Sequence, residues 1–99
     1  MPYIRNAYVQ TRHDAGVRRY AQQLIFAGWS VCADIPGFVR PSNVGGFIPD
    51  IYAIRGYSEY MVEIETADSV NSSHALDQRN AFTGWRKLSA SRQFEVITV

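Results

Sequence analysis

Apolar residues recur at helical spacing near the start of the chain. Val17, Tyr20, Ala21, Leu24 and Gly28 stand at i, i+3, i+4, i+7 and i+11, while Arg18, Arg19, Gln22 and Gln23 fall largely off that stripe. Thr11-Arg12-His13-Asp14 fits a Ser/Thr-x-x-Asp/Glu capping pattern. The spacing therefore predicts an irregular lead-in over 1–11, a helix to about 27, and a stop at Gly28. The period then changes. Residues 29–35 read as a strand closed by Pro36-Gly37, and 37–46 as a loop rich in turn residues. A second strand is expected over 46–55, with Pro49 marking an edge position or an irregular beginning.

After a turn at Gly56-Tyr57-Ser58, residues 59–65 alternate. Tyr60, Val62 and Ile64 face one way and Met61, Glu63 and Glu65 the other. Residues 66–72 form a polar connection, and Ser72 or Ser73 caps a helix over 74–89. Gln78, Phe82, Trp85 and Ser89 share a face of that helix, and Gly84 inside it costs ~1 kcal/mol relative to Ala. Residues 93–99 make a final strand. The order is α-β-β-β-α-β, an α/β fold in which one small mixed sheet is flanked by helices, and it occupies 1–99 as a single domain.

Composition sharpens this picture in three places. No apolar run approaches the ~18 residues of a membrane span, and Met1-Pro2-Tyr3-Ile4-Arg5-Asn6 lacks the pattern of a signal peptide, so a cytoplasmic protein with no membrane partner is expected. Cys32 is the only cysteine, which excludes an intrachain disulfide and a cysteine zinc site and suggests a small core residue. The net charge of +1 gives no support for strong nonspecific nucleic-acid binding. The charges are nevertheless segregated: acids gather at and after the two central strands, and arginines at 5, 12, 18, 19, 40, 79, 86 and 92, with Lys87, surround them.

Three carboxylates, Asp50, Glu63 and Glu65, fall among apolar residues of the two central strands. A buried carboxylate is costly unless something positive pairs with it, and a divalent cation is one such partner. In a hairpin, Asp50 and Glu63 lie on the same side. The other reading is a set of solvated acids on an exposed face of an antiparallel sheet.

Pro49-Asp50 on the second strand and Glu63-Ile64-Glu65 on the third, within an α-β-β-β-α-β order, resemble the PD-(D/E)xK nuclease superfamily, with Glu65 where Lys is usual. The resemblance covers nearly the whole chain and implies a restriction-endonuclease-like core. It also implies a Mg²⁺- or Mn²⁺-dependent deoxyribonuclease, endonuclease rather than exonuclease, acting on structured or branched DNA. On this pattern Asp50 and Glu63 bind the metal, joined by the Ile64 carbonyl, and Glu65 orients or deprotonates water or binds a second metal. Gln78-Arg79-Asn80-Ala81-Phe82 is similar to the Q-x-x-x-Y helix motif of one branch and would turn Gln78 toward the metal pocket. Another branch carries Glu on the first helix, where this chain has Ala21, with Asp14 two turns earlier as a substitute. Stand-alone nucleases of this kind are frequent in phages and mobile elements.

Further positions carry weaker signals. Arg40, Ser42 and Asn43 can touch phosphate, although turn chemistry also explains Ser42 and Asn43. His13 and His74 fall at helix starts, where exposed or capping positions are expected. Phe82 and Trp85 read as core, and Arg86, Lys87 and Arg92 as a solvated face suited to a helix C-terminus. Tyr3, Tyr8 and Tyr57 suit core or interface packing, with base stacking as the alternative. A domain this small has little surface for gripping a duplex, so a homodimer or a larger assembly is expected, a C2 pair offering two sites to two strands. The alternative function is a catalytically inactive nuclease-fold module that binds nucleic acid or assembles with a partner. A third reading is an unrelated α/β interaction domain.

Overall fold

The computed structural model describes residues 6–99 and contains, in order, α1 (Ala7–Phe26), β1 (Ser30–Ala33), β2 (Ile51–Arg55), β3 (Ser58–Glu65), α2 (Ser73–Lys87) and β4 (Arg92–Thr98). It is a small α/β domain of two helices and one four-stranded mixed sheet of order β1-β2-β3-β4. β1 and β2 pair antiparallel, as do β2 and β3, whereas β4 runs parallel to β3 and returns through α2. None of the helices among the described residues is long and apolar enough to cross a membrane.

α1 begins earlier than its capping pattern predicts. The Asn6 side chain accepts from the Val9 amide, so Asn6 is the N-cap, and Thr11 instead donates its hydroxyl to the Ala7 carbonyl inside the helix. Residues 7–11 are therefore helical; the lead-in over 1–5 and Tyr3 lie outside the described residues. The C-terminal stop is as expected. Gly28 has φ +94°, its amide donates to Ile25 O, and the Trp29 amide donates to Leu24 O, a Schellman pair that an L-side chain at position 28 would strain. α2 is capped by Ser72, which accepts from the Ala75 amide, and carries Arg86 and Lys87 in its last turn.

The second strand is half its predicted length. Gly45 and Gly46, both at positive φ, make a two-residue turn closed by paired bonds between Val44 and Phe47. Pro49 then has no amide to give a ladder, so β2 starts only at Ile51. β2 is an internal strand, so Pro49 marks an irregular beginning and not an edge.

Alternation on β3 divides the core in two. Val62 and Ile64 pack with Ile51 and Ala53 against Val17, Ala21 and Leu24 of α1. On the other face, Phe82 of α2 meets Phe94 edge-on at 5.6 Å and Trp85 meets Tyr52 at 6.2 Å. Glu63 and Glu65 lie on this second face, yet each is only 3% exposed. Tyr8 and Tyr57, expected in packing positions, are 73% and 97% exposed and belong to neither core.

Arg92 is not part of a solvated face. Its Nε donates to Glu59 Oε2 at 2.9 Å, its Nη1 donates to the Trp85 carbonyl, and its guanidinium lies 4.7 Å from the Trp85 ring centre. The Tyr52 hydroxyl donates to Glu59 Oε1 at 2.6 Å. Burial, then that hydrogen bond, pushes the Tyr52 phenol up from 10.0 to about 12, and the same bond, with Arg92, holds Glu59 below its ordinary range. Burial and a hydrogen bond to Glu95 raise Tyr60 further.

Both phenols ionise later in the folded than in the unfolded chain, so their contribution to stability is complete below pH 10 and is lost as pH rises toward 12. Tyrosinate absorbance during an alkaline titration should show Tyr52 and Tyr60 ionising last. Denaturation midpoints should fall between about pH 10 and 12, less steeply in Tyr52→Phe; a slope identical in that variant would contradict the assignment.

Candidate functional site

The β2–β3 register, carried one step past Ile51↔Val62, sets Asp50 opposite Glu63. Backbone and side chain then cross. The Asp50 amide donates to Glu63 Oε1 at 2.8 Å, and the Ile64 amide donates to Asp50 Oδ2 at 2.9 Å. Pro49 in front of Asp50 is buried, and the Asp50 carbonyl accepts from the Asp34 amide, which fixes the backbone there. Each carboxylate is thus held by an amide of the other strand. Hydrogen bonds with a charged partner contribute roughly 1.5–3 kcal/mol each, twice or more the ordinary value.

His13 completes the arrangement from α1. It is 4% exposed, with Nε2 3.2 Å from Asp50 Oδ2 and Nδ1 3.0 Å from Asp14 Oδ1. A carboxylate can only accept, so the ring nitrogen that carries a proton donates to the acid facing it, and the tautomer decides which contact that is. Gln10 Nε2 also donates to Asp14 Oδ1 at 2.8 Å and steadies the outer acid. The expectation of an exposed or capping His13 is therefore corrected. The signal was present: position 13 is four residues before Val17 and continues the apolar stripe through Ala21 and Leu24. Asp14 backs His13 and does not itself line the carboxylate pair.

The other candidate residues divide. Glu65 lies on the face of Glu63, where its Oε2 accepts from the buried Ser69 hydroxyl at 2.6 Å; the Ser69 oxygen in turn accepts from the Thr66 amide. Ser69, in the connection after β3, was not singled out from sequence. Ile64 reaches Asp50 through its amide. Gln78 is half-buried on α2, and no hydrogen bond joins it to Asp50, Glu63 or Glu65 among the described residues. Arg40 lies 3.3 Å from Asp34 at the surface, and Asn43 Oδ1 accepts from the Gly46 amide, which ties it to the glycine turn. Ser42 is exposed at the rim of a separate cavity of about 200 Å³. His74 packs edge-on to Phe47 at 5.6 Å.

Among the described residues no three His, Cys, Asp or Glu side chains form a group able to hold a metal ion. A magnesium ion needs fewer protein ligands, because it takes one or two carboxylates and completes its octahedron with water and substrate oxygens. Asp50 has a suitable donor: Oδ2 is taken by Ile64 and His13, and Oδ1 accepts no hydrogen bond among the described residues. Comparison of the chain with protein-family models, with curated proteins and with solved structures yields no match.

Asp50→Ala leaves the Ile64 amide without its acceptor and should cost about 1–3 kcal/mol of stability. Asp50→Asn keeps a carbonyl oxygen there and should cost clearly less. Urea denaturation measures both, and equal losses would show that the crossed hydrogen bond does not hold the strand ends.

Proposed function

We infer that the domain is a metal-dependent deoxyribonuclease of PD-(D/E)xK type on a restriction-endonuclease-like αβββαβ core, cutting within structured or branched DNA as a homodimer. The reading rests on the crossed pair: an Asp directly after Pro49 at the head of an internal strand, exchanging backbone–carboxylate hydrogen bonds with the Glu63-Ile64 step of the adjacent strand. The element order and the antiparallel, antiparallel, parallel pairing support it.

Asp50 and Glu63 are the residues proposed to hold Mg²⁺ or Mn²⁺, with the Ile64 carbonyl as a further ligand. When bound, the ion supplies Lewis acidity at the scissile phosphate and a nucleophilic water near neutral pH. Asp50 keeps one oxygen directed by the Ile64 amide and His13, which leaves the other to face the substrate side. Glu65 is the proposed water-positioning base, held through one oxygen by Ser69. Gln78 of α2 is the proposed pocket support.

A second reading is favoured by Glu65 itself. It replaces the usual Lys, is 3% exposed and is bonded to Ser69, an arrangement equally suited to a module that keeps the fold, binds nucleic acid or a partner, and does not cleave.

Plasmid, single-stranded and branched DNA incubated with the protein in Mg²⁺ or Mn²⁺ should be cut. Asp50→Asn and Glu63→Ala should lower the rate by more than about 100-fold, beyond what outer-shell changes cost a metal site. Absence of cleavage, or cleavage unchanged in both variants, would overturn the nuclease reading.

A further inference from the structure

The second face of the sheet carries a cavity of about 200 Å³ lined by Ser42, Val44, Pro49, Tyr52 and Trp85. This is below the size of an ordinary drug-like pocket and suits one flat ring system. Its position follows from the chain. Pro49 immediately precedes Asp50, and Tyr52 is two residues beyond Asp50 on the same strand, about 7 Å along it. The cavity is therefore next to the carboxylate pair along the chain, within reach of one nucleic-acid strand held there.

The aromatic floor is fixed before any ligand arrives. Trp85 has the Arg92 guanidinium over its ring at 4.7 Å and Tyr52 edge-on at 6.2 Å. Tyr52 is tied through its hydroxyl to Glu59, and Glu59 to Arg92, which closes the network. Rings held this way lose little freedom on stacking. Two lining residues bring further polar groups: among the described residues the Trp85 indole N–H and the Ser42 hydroxyl make no hydrogen bond. An indole donor, a hydroxyl that donates and accepts, and two rigid rings match the edge and face of a heterocyclic base. Arg40, two residues before Ser42, is exposed and pairs with Asp34 at 3.3 Å, a surface ion pair on the same loop from which the guanidinium can turn to the attached phosphate.

We propose that this cavity receives a single unpaired nucleobase of a DNA strand whose phosphodiester lies at Asp50 and Glu63. This rests on the nuclease reading and narrows its substrate to DNA with an unstacked base: single strands, frayed ends and branch points. A base inside an intact duplex must first leave its stack and its pair.

The test is made in EDTA, without cleavage. Four probes are titrated by anisotropy or competition: a labelled single-stranded oligonucleotide, the same length of abasic deoxyribose-phosphate strand, the corresponding duplex, and free deoxyadenosine. Trp29→Phe leaves Trp85 as sole fluorescence reporter. The single strand should quench Trp85 and bind about tenfold or more tightly than the abasic strand and the duplex, as base–aromatic stacking allows. Ser42→Leu, which fills the exposed rim, and Trp85→Phe, which removes the indole donor and shrinks the platform, should each weaken the single strand toward the abasic level. Equal binding of base-bearing and abasic strands, affinity unmoved in both variants, or free deoxyadenosine binding as tightly as the strand would each overturn the proposal. Metal-dependent cleavage without base-dependent binding would reject the cavity and keep the nuclease. Base-dependent binding without cleavage would reject the nuclease and keep a base-binding site.

Discussion

Everything near the proposed centre depends on one exchange between strands. The Asp50 amide binds the Glu63 carboxylate, and the Ile64 amide binds the Asp50 carboxylate. Buried acids ordinarily oppose folding. Here buried Glu63 and partly buried Asp50 take over a backbone role at the point where Pro49 cannot donate to the ladder. The strand pair is extended one step beyond its regular hydrogen bonds, and the acids are held where a strand end meets α1. His13, locked between Asp14 and Asp50, ties the helix to that junction.

The rest of the fold serves this junction from both sides. Gly16 of α1 lets the helix approach closely, since a Cβ there would come within 3.1 Å of both Ile64 and Val99. That approach carries His13, one turn earlier, into reach of Asp50. On the other face α2 does not cover the sheet evenly. Phe82 seals the part beside β4, whereas Trp85, Tyr52 and the loop through Ser42 and Val44 leave a small cavity open. The Arg92–Glu59–Tyr52 network keeps that opening rigid, at the cost of half-exposed aromatic surface that a purely structural sheet face would bury.

Much of this was legible in the sequence, because periodicity and local chemistry report it directly. Alternation on 59–65 placed Glu63 and Glu65 on one face, and Gly28 and Ser72 marked helix ends by their own backbone and side-chain bonds. What stayed hidden was decided by contacts distant in sequence. Nothing near Thr11 distinguishes a cap from a hydroxyl bonded within a helix; Asn6 decided it by accepting from Val9. The 46–55 stretch is apolar enough for a long strand, but two glycines at positive φ and Pro49 shortened it. His13 was hidden by its histidine chemistry, although its spacing from Val17 marked a buried face. Ser69 was hidden because only Glu65, once folded beside it, gives its hydroxyl a use.

On the proposed reading Asp50 and Glu63 act as one unit around a single metal ion. Crystals soaked in Mn²⁺ test this without relying on turnover. An anomalous peak bonded to both carboxylates, with the Ile64 amide still on Asp50 Oδ2, is the result the account predicts. A peak elsewhere, or none at a concentration that labels other carboxylates, would contradict it.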